Sequence, residues 1–120
     1  MSLLTTLVAR LLFALPISVF GLFHFLSAQT MVGMVPSWLP GGVFWVYLTG
    51  ACLIVAGVSI IIGKWVTLSG RLLALLLGLF VLFVHLPALF SGHQFSMVAI
   101  LKDVAIAGGA LGFAGNFDED

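Results

Sequence analysis

Charge is what this sequence lacks most. It holds four Lys/Arg and four Asp/Glu, 7% of its 120 residues, where soluble domains carry about 25%. A soluble fold of this size must clothe itself in polar groups, and too few are present. The two signs balance, so there is no basic surface for nucleic acid and no polybasic run for anionic lipid. Cysteine is nearly absent as well: Cys52 stands alone inside an apolar run. One thiol excludes an intrachain disulfide or a CxxC redox pair, and this one reads as a small buried packing residue. The single tyrosine, Tyr47, reads as an interfacial anchor for its helix. A phosphate-binding glycine loop, a nucleophile elbow and an HExxH zinc motif are all missing, so no catalytic residue and no metal ligand set is assigned.

Hydrocarbon is what the chain has in excess, with 62% apolar residues against roughly 45–50% in soluble domains. A bilayer core of about 30 Å takes about 20 helical residues to cross. Four stretches qualify, at about 3–26, 42–62, 71–90 and 96–115. The expected fold is therefore all-α, a single-domain integral membrane four-helix bundle in contact with the lipid bilayer. Lys102 and Asp103 fall inside the fourth helix, because a later start would leave only 12 residues to Gly115. The first run reads as a retained helix and not a cleaved signal. Its positive charge, Arg10, already lies within the run, and Leu26-Ser27-Ala28 lacks the small residue expected at −3.

The longest connection, Ser27 to Gly41, carries Pro36 and Pro40 on either side of Trp38. Proline donates no backbone hydrogen bond, so the chain leaves regular helix here, as an interfacial loop or a short in-plane helix. Gly63 to Gly70 forms a second connection with Lys64 and Trp65, and Ser91 to Phe95 a third with His93. The tail from Asn116 is polar and frays. Lys64 and Arg71 flank the middle connection, while the other two hold no Lys or Arg. The positive-inside rule then places both termini in the cytoplasm.

The first and third helices share a pattern. Arg10-Leu11-Leu12 and Arg71-Leu72-Leu73 are each followed, fourteen residues after the arginine, by a histidine, His24 and His85. Fourteen helical residues span about 21 Å and nearly four turns, so arginine and histidine share a face at opposite ends. This suggests two tandem helical hairpins related by an axis along the membrane normal. The two arginines read as snorkelling to headgroups. Gly108 and Gly112 form a GxxxG step, with Ala74 and Gly78 at similar spacing, and such surfaces let helices approach closely. Packing within the chain is the first reading and self-association the second.

Ionisable groups cost about 2.5–3.5 kcal/mol on insertion, so each needs a partner or a role. His24, His85, Lys102 and Asp103, with His93 and Trp38, fall toward one side, the outer one on the orientation above. They outline an outer-facing polar pocket with Trp38 as lid. In one reading Asp103 accepts hydrogen bonds from Lys102 or a histidine, and the cluster only satisfies itself. In the other the histidines exchange protons with a bound ligand such as a quinone, since imidazole ordinarily titrates near neutral pH. Haem ligation by the paired histidines, or a three-histidine metal site, finds no further support in the spacing.

The Gly21-Leu22-Phe23-His24-Phe25 segment after Arg10-Leu11-Leu12 resembles the opening helix of DoxX-like membrane proteins. The Val35-Pro36-Ser37-Trp38-Leu39-Pro40 loop, the ending His85-Leu86-Pro87, and Leu101-Lys102-Asp103-Val104-Ala105 before Gly108-Gly109 are similar to that family in the same order. The resemblance implies a four-helix protein of the bacterial inner membrane. It further implies an accessory subunit of a membrane redox complex, quinone-linked, with other redox subunits as partners. The matching positions are His24, Pro36, Trp38, Pro40, His85, Lys102 and Asp103, which coincide with the pocket residues. Two alternatives stay open: a small transporter or channel, and a purely structural membrane-interaction protein.

Overall fold

The computed structural model describes residues 3–92 and 96–116. Among them every regular element is helical. Helix α1 covers Leu3–Leu26 and α2 Val43–Ile62; α3 runs from Val66 to Phe90, and α4 is Ser96–Asn116. All four contain spans long and apolar enough to cross a membrane. Their outward faces present exposed Leu15, Leu26, Val55, Leu75 and Val98, a surface that hydrocarbon solvates and water does not. The chain is an all-α, multi-pass membrane protein.

The helices pack as two hairpins, α1 with α2 and α3 with α4. Because lipid tails are as apolar as Leu, close backbone approach takes over from the hydrophobic drive. In the first hairpin Gly21 and Gly50 meet, each placing an imagined Cβ 2.8 Å from the other's carbonyl oxygen. One helical stretch further on, Gly57 lies against Ala14 and Ser18. In the second hairpin Gly70 sits where a Cβ would come 2.5 Å from the Ala110 carbonyl, and the Thr67 hydroxyl donates to Ala114 O at 3.2 Å. Ile60, Val66 and Leu73 are the largest fully buried side chains of the core cluster, which also includes Ala14, Leu53 and Ala110. Phe13 of α1 meets Phe113 of α4 with centroids 5.0 Å apart.

A tight turn joins the hairpins. Gly63, at φ 76°, lets its own N–H bond Ile60 O and the Lys64 N–H bond Ser59 O, the two bonds of a Schellman C-cap. Ser69 Oγ donates to Ser59 Oγ at 2.8 Å across the turn. The third helix accordingly starts at Val66, five residues before the Arg71 expected from sequence. Gly70 looked like a boundary but is a contact point inside the helix. Near its far end α3 widens into a π turn over Val81–His85. Pro87 follows: it has no N–H to return to Phe83 O and its ring crowds that carbonyl, which opens the preceding turn. The Ser27–Gly41 connection contains the expected short helix, one turn at Ala28–Met31 continued as a 3-10 turn to Met34.

Three further expectations are corrected. Gly108 and Gly112 have no neighbour within 4 Å of an added Cβ, and neither does Gly78. The GxxxG step therefore faces outward and does not pack the bundle; Gly21, Gly50, Gly57 and Gly70 do. Cys52 is exposed and not buried, because its face of α2 turns away from α1 toward a cavity. Arg10 is half-buried with its guanidinium against Gly63 at the C-terminus of α2, where the helix dipole favours a cation, while Arg71 is exposed. The tail beyond Asn116, residues 117–120, and His93 lie outside the described residues.

Candidate functional site

The hairpins touch closely at the arginine end and separate toward the histidine end. The gap is a cavity of about 960 Å³ reaching from Leu12 and Leu73 up to Trp38, within the roughly 300–1,000 Å³ range of small-molecule sites. All four helices and the Ser27–Gly41 connection line it. Its walls are Leu, Ile, Val and Phe for most of their length. Polar side chains gather at one end: His24, Thr49, His85, Lys102 and Asp103. The five residues singled out by sequence, with Trp38 among them, thus line one cavity.

His24 closes the last turn of α1. Only 8% of it is exposed, and its Nδ1 lies 2.8 Å from Phe20 O. A carbonyl oxygen only accepts, so Nδ1 carries the hydrogen and Nε2 is left as the second ring nitrogen. Among the described residues Nε2 has no hydrogen-bond partner. The ring also meets Phe20 edge-on, with centroids 5.1 Å apart, and its Cβ lies against Gly50. Backbone, aromatic and glycine contacts together hold the imidazole in one pose.

His85 ends the π turn of α3 and faces α4, where Nε2 lies 2.9 Å from Asp103 Oδ2. The Asp103 side chain is 6% exposed and His85 18%. A carboxylate this deep is costly alone, and the histidine supplies the hydrogen bond that offsets it. Lys102 Nζ stands 4.0 Å from Asp103 Oδ1 and 5.2 Å from the Phe20 ring centre. It thereby reaches from α4 to α1 over the mouth of the cavity. The π turn matters here. Fourteen residues in a uniform α-helix would put His85 in phase with Arg71, and the wider turn changes that phase. The same spacing on α1 and α3 therefore hides two different histidine environments.

Trp38 covers the cavity from the connection, with its ring 6.0 Å from Phe83 and edge-on. Trp45 Nε1 donates to Pro40 O at 2.5 Å, which ties the connection to the start of α2. Sequence reasoning missed Thr49, Phe20 and Phe83. The i−4 relation of Phe20 to His24 was available as a signal; the cross-helix contacts were not. Among the described residues no group of three or more His, Cys, Asp or Glu could hold a metal ion.

The chain belongs to a family described as a domain of unknown function, DUF8561, whose model matches residues 13–107. The matched stretch contains every polar cavity residue named above and stops short of Gly108. No curated protein and no solved structure matches the chain.

Proposed function

We propose that this protein binds a lipophilic, quinone-class molecule in the cavity between its hairpins and serves as an accessory subunit of a quinone-linked membrane redox complex. The observation that carries the reading is a long apolar chamber capped at one end by His24 and the His85–Asp103 pair. That is the profile of an amphipathic ligand: walls for a prenyl or alkyl tail, and convergent polar groups for a ring bearing oxygens. Imidazoles suit such a ring because they can give or take the protons that accompany its redox change. The resemblance to DoxX-like proteins supports the bacterial inner membrane as location and redox subunits as partners. The Lys64 and Arg71 placement supports cytoplasmic termini, which puts the capped end on the outer side.

Purification in mild detergent, followed by mass spectrometry of co-purifying small molecules, tests the reading. A prenylated quinone should accompany the wild type and be depleted at least tenfold in His24→Ala and Asp103→Ala, with helix content retained. An equal quinone content in all three proteins would sink the proposal.

A further inference from the structure

The two opposite charges at the cap are placed unequally. Asp103 is drawn in: its side chain is 6% exposed, and Oδ2 lies 2.9 Å from His85 Nε2. Lys102 is left out at the mouth, with 53% of its side chain exposed. Its Nζ stands 4.0 Å from Asp103 Oδ1, beyond hydrogen-bond distance. The Phe20 ring, 5.2 Å away at its centre, attracts the charge but supplies no oxygen for the three N–H donors. Lys102 and Phe20 both line the cavity, so this ammonium belongs to the chamber's wall as well as to its mouth. Among the described residues lining the cavity, Lys102 and Asp103 are the only Lys, Arg, Asp or Glu. Their charges cancel, so the cap is neutral or positive whichever protons the histidines hold. An entering head meets the cation first.

We infer that Lys102 seats the head of the ligand, and that the cavity takes amphiphiles whose head carries an anionic or carbonyl oxygen in preference to cationic ones. An oxygen beside Nζ gains a charge-assisted hydrogen bond from donors that no protein oxygen has taken. Where that oxygen is charged, the attraction gains further weight beside apolar walls, where the dielectric is low. The indole N–H of Trp38 brings a second donor to the same cavity. A cationic head finds the reverse, because the carboxylate that would attract it is buried and already bonded to His85. This rests on the cavity reading above and deepens it. Quinone carbonyls become the neutral members of the accepted class, and single-chain acids with a carboxylate or phosphonate head its tighter members. Lys102 is then a specificity-determining residue, distinct from the histidines.

The probes are dodecylphosphonate, dodecyltrimethylammonium and a dodecyl benzoquinone, which share a tail and differ in the head. Binding to the full-length protein in nonionic detergent at about pH 8 is measured by equilibrium dialysis, with empty micelles as the blank. Lys102→Met keeps the length of the side chain and loses its charge. It should bind the phosphonate at least tenfold more weakly than the wild type, and the trimethylammonium no more weakly. Lys102→Arg should hold the phosphonate within about threefold of the wild type. So should Lys64→Met, whose charge lies in the turn at the opposite end. Unchanged phosphonate affinity in Lys102→Met, or an equal loss in Lys64→Met, overturns the inference, while saturable binding of the benzoquinone leaves the cavity reading standing. Tighter binding of the trimethylammonium than of the phosphonate by the wild type overturns it without any variant. Failure of all three ligands to bind the wild type overturns both.

Discussion

The two hairpins are built from the same kind of material and closed in different ways. In the first, backbone meets backbone along most of its length, through Gly21, Gly50 and Gly57. The second is closed by Gly70 at the arginine end only. Toward the other end its helices are joined by a polar bridge, His85 to Asp103, set up by a π turn. The first hairpin is thus a rigid wall. The second carries its buried carboxylate, Asp103, at the end where no glycine contact closes it, and that carboxylate lines the cavity. Close packing and a polar site compete for the same helix faces, and each hairpin resolves the competition differently.

The largest expected effect comes from filling the rigid wall. Gly57→Leu drives a side chain against the Ala14 carbonyl and Ser18 Cβ, which cannot retreat without parting the helices, and displaces the Ser18 hydroxyl. The expected cost exceeds the 1–3 kcal/mol or so usual for overpacking. Thermal unfolding in detergent should show the variant unfolded or strongly destabilised. Gly70→Val tests the corresponding contact in the second hairpin. Its effect should be smaller, about 1–3 kcal/mol, because only one end of that hairpin depends on it. If Gly70→Val proved worse than Gly57→Leu, the contrast between the hairpins would collapse.

Asp103→Asn should cost about 1–3 kcal/mol by disrupting the buried bridge. A cycle with His85→Phe should show that the two losses do not add, as expected for residues in contact. Additive losses would mean that the bridge is not formed. The smallest effect is expected at Gly108→Leu. The site is open to the outside, so unfolding of the monomer should shift by no more than about 0.5 kcal/mol. Any larger change that depends on protein concentration would assign that face to self-association.

The four crossings were legible because length and apolarity answer to one physical dimension, the thickness of hydrocarbon. The level of the polar residues was legible for the same reason, since a fixed rise per residue converts sequence position into depth. This brought His24, His85, Lys102 and Asp103 to one end before any contact was known. Rotation about the helix axis was not legible. Gly108 and Gly112 make a motif, but nothing in the motif says which way it faces, and Gly50 and Gly57 were passed over although they meet α1. Cys52 was misjudged on the same count. Gly70 was taken for a helix start because glycine commonly marks an end, whereas here it lets α4 approach. The π turn left one trace, Pro87, from which a disturbance could be expected but not its extent. Which histidine would pair with Asp103 depended on that turn and lay beyond the sequence.

Trp38 and Trp45 line the cavity, whereas Trp65 stands in the turn at the opposite end. Indole fluorescence therefore reports on the cavity from within, and quinones quench it on contact. The most direct measurement is a titration of the detergent-solubilised protein with a short-chain quinone, following tryptophan emission. The account predicts saturable quenching in the wild type that persists in Trp65→Phe, disappears in the double variant Trp38→Phe/Trp45→Phe, and weakens at least tenfold in His24→Ala. Quenching that rises linearly without saturation, or that is unchanged by His24→Ala, would contradict it.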